Sequence, residues 1–266
     1  MRALRFRGLR SKPLPFPLAA AILLLLLLIP AALAEPEAVT AARQSVVRLY
    51  GMGTDSTTGE GLRWTGTGFA VGVAGEDTDL FLTNWHVATG NGQCKPESVQ
   101  LWILGDEAAF DAHRAPLAEC AIPCRVLGTT DGYPDVAVIQ AAEPMDGLAA
   151  LPLLSSGQVA DGTEVYALGF PETIALSAAT PEDVAVTQGQ VQQHLTMASA
   201  GNTRCLIHSA PIAPGFSGGP LVNAQGEVVA VNTYGFEADV SVSLFCAISI
   251  DEAADLLEEL EILLRN

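Results

Sequence analysis

Basic residues are scarce in this 266-residue sequence, which has 13 Lys and Arg against 30 Asp and Glu and a formal net charge of −17. Five of the basic residues lie in the first twelve positions, which contain no acid. Beyond residue 34, eight basic residues therefore face thirty acidic ones, and the charge is near −22. A surface this acidic repels phosphate backbones and anionic lipid. We therefore expect no nucleic-acid partner.

The sequence also lacks an apolar run of the roughly 20 residues that a membrane-spanning helix needs. The run from Leu18 to Ile29 has twelve residues, follows the basic start and leads into an A-x-A sequence at 32–34. This order is typical of a secretory signal peptide. An uncleaved anchor is the alternative, and the run is short for it. We predict a signal peptide over 1–34, a mature chain that begins near Glu35, export to the periplasm or the medium, and no stable membrane anchor.

Cysteines are few and odd in number: Cys94, Cys120, Cys124, Cys205 and Cys246. An exported protein meets an oxidising compartment, so disulfides are expected, and an odd count leaves at least one thiol unpaired within the chain. The alternative is a zinc site built from Cys94, His113, Cys120 and Cys124. Its spacings are irregular, so we expect neither a metal nor another cofactor.

Apolar and β-branched runs recur between clusters of Gly, Pro, Asn and Asp, and this rhythm is typical of an all-β sandwich or barrel. The runs lie at 45–50, 66–73, 80–85, 99–104, 123–128, 135–140, 164–170, 186–194, 204–209, 220–235 and 242–250. A strand-poor segment, 141–162, divides them into groups of about six and five strands, as a linker between two barrels would. The run 220–235 contains a turn, Asn-Ala-Gln-Gly, which predicts a hairpin.

The C-terminus changes to a helical period. Apolar residues occur at 253, 256, 257, 260, 263 and 264. This stripe predicts an amphipathic helix that packs on the core. Ser249 and Glu252 have the spacing of a capping box at its start.

Three segments contain the residues of serine nucleophilic catalysis. Ser217 lies in PGFSGGPL, whose glycines and prolines specify a shaped loop, His86 follows a buried strand in TNWHV, and Asp135 opens the strand DVAVI. Alone, each has an ordinary structural interpretation as a turn, core or capping residue. Together they supply a nucleophile, a neutral imidazole to take its proton and a carboxylate to hold the imidazole's tautomer. We predict a catalytic triad. The other histidines are interpreted as structural: His113, His194 and His208.

These three segments resemble the catalytic segments of trypsin-like serine peptidases with the two-barrel chymotrypsin fold, and they are most similar to the protease domain of the HtrA/Deg group. GTGFAV, GEVVAVNT and FCAISIDEA extend the likeness to about residues 40–262. The resemblance implies an all-β fold of two six-stranded antiparallel barrels, 35–145 and 146–250, with a C-terminal helix over 251–266. The 266-residue sequence ends with this helix, so we expect no PDZ domain of the kind that HtrA proteins normally have.

The resemblance implies an endopeptidase that acts on proteins or peptides, with a catalytically silent binding or regulatory module as the alternative. It assigns the oxyanion hole to the backbone amides of Gly215 and Ser217. Phe216 departs from the family, since trypsins have Asp and HtrA proteins usually have Asn at this position. An ion pair between that position and a new N-terminus, as in trypsin activation, is therefore not expected.

The resemblance also locates the S1 pocket, with Pro211, Ile212, Asn232 and Thr233 in its walls. Neither Pro211 nor Ile212 can pair with a Lys or Arg side chain, and burying that cation without a partner costs several kcal/mol. We therefore expect cleavage after small or medium aliphatic P1 residues.

We expect no more than two intrachain disulfides, and the resemblance implies one of them. Cys205 and Cys246 lie in strands that are neighbours in the family's second barrel, so we expect them within bridging reach. In the first barrel we expect Cys94 to pair with Cys120 or Cys124.

Overall fold

The computed structural model of the protein describes residues 35–105, 121–130, 132–143, 145, 147–172, 181–236 and 244–260. By its internal contacts the chain divides into two units, Met1–Glu35 and Pro36–Asn266. The predicted signal peptide and its cleavage site lie outside the described residues. Within the described part of the chain, no helix is long and apolar enough to cross a membrane.

Twelve strands form two closed antiparallel barrels of six strands each. The first barrel, in the order β1-β2-β3-β6-β5-β4, contains β1 (Val46–Thr54), β2 (Gly61–Ala70), β3 (Leu80–Thr83), β4 (Gln100–Leu104), β5 (Ala121–Thr129) and β6 (Ala137–Ala141). The second, in the order β10-β11-β12-β9-β8-β7, contains β7 (Glu164–Gly169), β8 (Ala185–Met197), β9 (Thr203–His208), β10 (Pro220–Asn223), β11 (Val228–Phe236) and β12 (Leu244–Ser249). The predicted all-β, two-barrel fold is confirmed. The second group has six strands because the run 220–235 contains two.

The turn between β10 and β11 forms as its sequence predicts. Asn223 Oδ1 accepts hydrogen bonds from the backbone amides of Gln225 (2.9 Å) and Glu227 (3.0 Å). Gly226 takes a φ of +78°, a conformation that side-chain-bearing residues rarely adopt, and its amide donates to the Asn223 carbonyl at 3.0 Å. These bonds close the hairpin that follows the predicted nucleophile.

Four apolar clusters occur among the described residues, and the three largest hold the barrels. Successive side chains of a strand point to opposite faces of the sheet, so alternate residues fill the interior of each barrel with one cluster. The first-barrel cluster includes Leu49, Phe81, Ile103 and Ile139, and the second-barrel cluster includes Leu206, Phe216, Leu221 and Val229. The third joins both barrels to the terminal helices and includes Val39, Phe69, Phe170, Val231 and Leu257. The barrels therefore share a continuous apolar contact, and the candidate site lies on residues from both.

Three short helices complete the described chain: α1 (Glu37–Ala42), α2 (Trp85–Thr89) and α3 (Ala254–Glu259), the last preceded by the 3₁₀ turn Ile250–Ala253. The predicted apolar stripe packs inward at 253, 256 and 257 and partly at 260, whereas 263 and 264 lie outside the described residues. The predicted capping box does not form. Ser249 Oγ accepts from Asp251 N at 3.3 Å, and the Glu252 carboxylate binds the backbone amide and guanidinium of Arg204 instead.

The cysteines depart from the predicted pairing. Cys205 and Cys246 lie on neighbouring strands and their thiols are in contact, but the two buried residues form no disulfide. Cys205 is directly opposite Ile248, and Cys246 is opposite Ile207, so the two cysteines are diagonal neighbours. Diagonal Cα atoms are about 7–8 Å apart, beyond the roughly 7 Å that a disulfide bridges without backbone movement.

In the first barrel Cys94 and Cys124 are also free. Cys94 packs between Gly53 and Gly90, whereas Cys124 lies on β5, opposite Leu101. Burial raises the pKa of the Cys124 thiol to about 12. Cys120 lies outside the described residues, so the predicted pairing through it stays a prediction.

Candidate active site

His86 is presented by the junction between β3 and α2. Strand β3 ends at Thr83, and the fully buried Asn84 begins the helix. Trp64 Nε1 donates to the Val87 carbonyl at 2.7 Å and holds the helix against β2. Gly90 ends the helix with a φ of +66°, and its amide donates to the His86 carbonyl. The imidazole is therefore fixed on one helical turn between two anchored ends.

Asp135 meets His86 through both carboxylate oxygens. The distance from Oδ2 to His86 Nδ1 is 2.8 Å, and Oδ1 accepts the His86 backbone amide at 3.0 Å. Asn84 Nδ2 donates to the Asp135 carbonyl at 2.7 Å, and Thr233 Oγ1 donates to Oδ2 at 2.8 Å. The carboxylate is 14% exposed, so these bonds fix its orientation while little of it faces water.

This pairing determines the imidazole tautomer. A carboxylate only accepts hydrogen bonds, so Nδ1 has the proton in the Asp135 contact. In the neutral ring Nε2 is then the basic nitrogen, and it has no partner among the described residues. A 31% exposed imidazole in this tautomer can take a proton from a hydroxyl at the surface.

Ser217 lies in the turn between β9 and β10. Its Oγ donates to the Thr233 carbonyl at 2.8 Å, and within the described residues this is the only hydrogen bond of the hydroxyl. Thr233 therefore connects the two sides of the site, with its hydroxyl on Asp135 and its carbonyl on Ser217. The three predicted triad residues converge around Thr233 on β11.

Position 215 requires glycine, both because of its backbone conformation and because there is no room for a side chain. Its φ is +99°, and a Cβ added there would be 2.2 Å from the Phe170 carbonyl oxygen and 2.8 Å from the Glu172 amide nitrogen. Gly218 and Gly219 are similarly confined, with an added Cβ 2.2 Å from backbone oxygens of neighbouring strands. The loop therefore lies directly against the backbone of both barrels.

The peptide before Gly215 has a defined direction. The Pro214 carbonyl accepts the Glu172 amide at 2.8 Å. In a trans peptide the C=O and the following N–H point in opposite directions. The Gly215 amide is therefore directed away from Glu172, and it has no acceptor among the described residues.

The peptide before Ser217 is held in the same way. The Phe216 carbonyl accepts the Gly219 amide at 2.9 Å, which directs the Ser217 amide to the opposite side. The Ser217 amide also lacks an acceptor in the described chain, whereas the intervening Phe216 amide donates to Ala213 at 3.0 Å. Two unbonded amides, at Gly215 and Ser217, can thus bind one anionic oxygen.

Phe216 supports this loop by packing. Its side chain is 2% exposed and belongs to the apolar cluster of the second barrel. It lies so close to Gly169 that a Cβ there would be 3.0 Å from the Phe216 Cα and Cγ atoms. Burial of the ring in the second-barrel core therefore anchors the loop between Gly215 and Ser217.

Two of the predicted pocket residues, Pro211 and Ile212, border the second-barrel core. Pro211 is exposed, and Thr187 Oγ1 donates to its carbonyl at 2.7 Å. Ile212 is half-buried and packs against the second-barrel cluster. Neither side chain can carry a charge, and the position of the two residues in an S1 pocket stays a prediction.

The side chains of the other two predicted pocket residues, Asn232 and Thr233, are buried. Asn232 is fully buried, and its Nδ2 donates to the Pro220 carbonyl at 3.0 Å. Thr233 is 5% exposed, and its hydroxyl faces Asp135. Since both side chains are buried, the backbone of 232–233 is the candidate pocket surface, and the predicted pocket wall stays a prediction.

Sequence reasoning missed the role of Thr233 as a bridge and the role of Asn84 as an anchor of Asp135. Threonine is common in strands, and asparagine is common before helices, so neither residue type marks a site by itself. Their partners lie 98 and 51 residues away in sequence. No local pattern contains such contacts.

No group of His, Cys, Asp and Glu within the described residues could hold a metal ion. The alternative zinc site includes His113 and Cys120, which lie outside the described residues.

The chain matches the family model of the trypsin-like peptidase domain over residues 66–231. It is 31% identical over 192 residues to the serine protease HhoA of Synechocystis, covering 71% of this chain and 41% of that protein. It is 30% identical over 193 residues to the mitochondrial serine protease HTRA2 of Drosophila pseudoobscura, covering 73% of this chain and 38% of that protein. The chain thus spans about two fifths of the length of the curated relatives it matches.

A solved structure, "HtrA-type protease AlgW with tripeptide", shares the fold. The TM-score is 0.60 at 21% sequence identity, and the match covers 84% of this chain and 62% of that chain.

Proposed function

The chain belongs to the trypsin-like peptidase domain family, and from this premise we propose that it is an exported serine endopeptidase with His86, Asp135 and Ser217 as its triad. The observation that carries the proposal is the 2.8 Å contact from His86 Nδ1 to Asp135 Oδ2 beside a serine loop with two unbonded amides. A protein or peptide chain is the proposed substrate.

In the proposed reaction the Ser217 hydroxyl first exchanges its Thr233 acceptor for His86 Nε2. As Oγ attacks the carbonyl carbon of the scissile bond, Nε2 takes the hydroxyl proton, and Asp135 stabilises the imidazolium. The imidazolium then protonates the leaving amine. Water, activated by the same nitrogen, hydrolyses the acyl-enzyme and restores the serine.

The amides of Gly215 and Ser217 are the proposed oxyanion hole. Negative charge develops on the carbonyl oxygen during the attack, and donors already in position stabilise it without reorganising. One such donor is typically worth about 3–4 kcal/mol of transition-state stabilisation. The hydrogen bonds of the Pro214 and Phe216 carbonyls support this role because they hold the two amides in fixed directions.

The proposed P1 preference is for small or medium aliphatic residues. Pro211 and Ile212 supply an apolar edge without a charge that could pair with Lys or Arg. Digestion of a P1-diverse peptide library tests the preference, with cleavage after Val, Ala, Leu or Ile expected. Dominant cleavage after Lys or Arg would contradict it.

A second candidate function is a catalytically silent binding or regulatory module. The observation that favours it is the hydrogen bond from Ser217 Oγ to the Thr233 carbonyl, which occupies the hydroxyl proton.

Labelling with a fluorophosphonate distinguishes the two candidates. An enzyme reacts at Ser217, and intact mass and peptide mapping locate the adduct. S217A removes the acceptor and H86A removes the base, so neither should label. A folded wild-type protein that does not react would favour the silent module.

Export is proposed from the basic start, short apolar run and A-x-A sequence of residues 1–34. N-terminal sequencing of the exported protein should find Glu35 first. A mature form that keeps residues 18–29 would indicate an anchor instead.

A further inference from the structure

Thr67 lies on β2 of the first barrel and contacts both residues whose amides form the proposed oxyanion hole. Its Oγ1 donates to the Gly215 carbonyl at 2.7 Å. Its backbone amide donates to the Ser217 carbonyl at 2.9 Å. The side chain is fully buried, so water does not compete for these bonds. One residue of the first barrel thus holds the serine loop of the second at two points.

The direction of the Thr67 hydroxyl is determined by its neighbours. The Phe170 amide donates to Oγ1 at 3.1 Å, and the Gly215 carbonyl can only accept. The hydroxyl hydrogen must therefore point at Gly215. The Thr67 carbonyl is itself held by Thr83 Oγ1 at 2.7 Å. Each polar atom of Thr67, the amide nitrogen, the carbonyl oxygen and Oγ1, is therefore hydrogen-bonded.

From this geometry we infer that Thr67 is a positioning residue for catalysis, which acts by holding the peptide groups that follow Gly215 and Ser217 and thereby the loop that carries their amides. The inference rests on the proposed function of that loop. Thr67 touches no reacting atom, so its contribution belongs to the transition state, when the oxyanion needs both amides in place. Loss of the hydroxyl should lower kcat and leave KM nearly unchanged.

The chain contains a matched control on the same strand. Thr65 is two residues from Thr67 and therefore faces the same side of β2. Its Oγ1 is also buried, but it has no hydrogen-bond partner within the described residues. T65V and T67V thus make the same chemical change. Only T67V removes a hydrogen bond to the serine loop, that from Oγ1 to the Gly215 carbonyl, and with it the bond from the Phe170 amide.

The kinetic test compares T67V, T65V and T67S on one peptide substrate. We expect T67V to lower kcat about tenfold or more, with KM changed less than about twofold. T67V should also weaken binding of a peptidyl trifluoromethyl ketone, whose adduct places an oxyanion against these amides. T67S, which keeps the hydroxyl, and T65V should remain near wild type. Equal kcat in T67V and T65V would overturn the inference.

A second measurement does not depend on turnover. In an S217A background, amide hydrogen exchange of the peptide 213–219 should be faster with T67V than with T65V, because the bonded Phe216 and Gly218 amides lose support. Unchanged exchange would overturn the positioning role. Faster exchange in a protein whose wild type neither labels nor turns over would keep the role of Thr67 in the loop and reject the proposed function.

Discussion

Gly215 shows how strongly a single residue constrains the site. A side chain there would meet backbone atoms at 2.2 and 2.8 Å, and these cannot move without displacing β7 or the loop itself. We expect G215A to lower kcat by about 10²–10³, the usual effect of losing an oxyanion donor. Steady-state kinetics measures the loss.

Gly162 provides the control for G215A. Its φ of +84° resembles that of Gly215, but no atom lies within 4 Å of an added Cβ. G162A therefore has only the backbone strain of a left-handed residue, about 1–2 kcal/mol of stability, and should keep wild-type kcat. Wild-type kcat in G215A as well would contradict the assigned role of its amide.

The residues of the candidate triad could be proposed from sequence because each lies in a local pattern of turn and strand residues. Their supporting contacts could not. Thr67 and Gly215 are 148 residues apart, and Thr233 and Asp135 are 98 apart. Such pairs depend on how two barrels meet, and the types of the residues involved are ordinary for strands.

The sequence alone predicts an ordinary structural role for His208, and the structure makes it an unusual core residue. It is fully buried beside Phe245, at 5.9 Å between ring centroids, and neither nitrogen has a hydrogen-bond partner within the described residues. Burial lowers the pKa of His208 to about 4, and the Ala210 backbone offsets this only in part. The folded protein therefore keeps this ring neutral at pH 7.

The unfolding free energy should consequently depend on pH through His208. Between pH 6.5 and about 4 the unfolded chain binds a proton that the folded protein does not, so stability falls as pH is lowered, by about 3 kcal/mol in total. Urea unfolding of H208L at pH 7 and pH 4.5 should show a smaller loss than wild type. The control, H194L, changes a half-exposed histidine bonded to the Val159 carbonyl. An unchanged pH dependence in H208L would contradict the prediction.

At the scale of elements, helix α3 joins the two barrels. It follows β12 of the second barrel, yet Leu256 and Leu260 lie against Gly128 of β5 in the first. Leu257 is 1% exposed in the apolar cluster that both barrels share. The helix contributes packing that neither barrel has alone.

We therefore expect L257A to lower the unfolding free energy by about 2–5 kcal/mol, because it leaves a cavity in that shared cluster. D255A changes an exposed residue of the same helix and should stay within about 0.5 kcal/mol of wild type. Chemical denaturation measures both. Equal stability of the two variants would show that the helix is not packed as described.

Strand neighbours could be predicted from the resemblance, but their register could not. Cys205 and Cys246 are on adjacent strands as expected, and a displacement of two residues makes them diagonal rather than opposite. The capping-box pattern failed for a similar reason, since Arg204 on β9 binds the Glu252 side chain. Both outcomes depend on tertiary contacts that a local pattern does not contain.

For the whole molecule, the recurring strands and turns of the sequence predict an all-β class. The closure of six strands into a barrel could be predicted only from the family resemblance. Closure depends on contacts between β1 and β4 and between β7 and β10, which lie far apart in sequence. Net charge, in contrast, is a whole-molecule property that the sequence determines directly. It predicts how stability responds to salt.

An acidic excess of 17 charges, or about 22 without residues 1–34, destabilises the compact state through self-repulsion. The screening length falls from about 30 Å at 0.01 M salt to about 8 Å at 0.15 M, so added salt weakens this repulsion. Each 1 kcal/mol by which salt raises the unfolding free energy should raise Tm by about 2–4 °C in a protein of this size. We expect Tm at pH 7 to rise over this range, equally with NaCl and KCl. Near pH 4.4, the pI of the sequence, the rise should disappear, and a Tm that falls with salt at pH 7 would show that specific ion pairs outweigh the net charge.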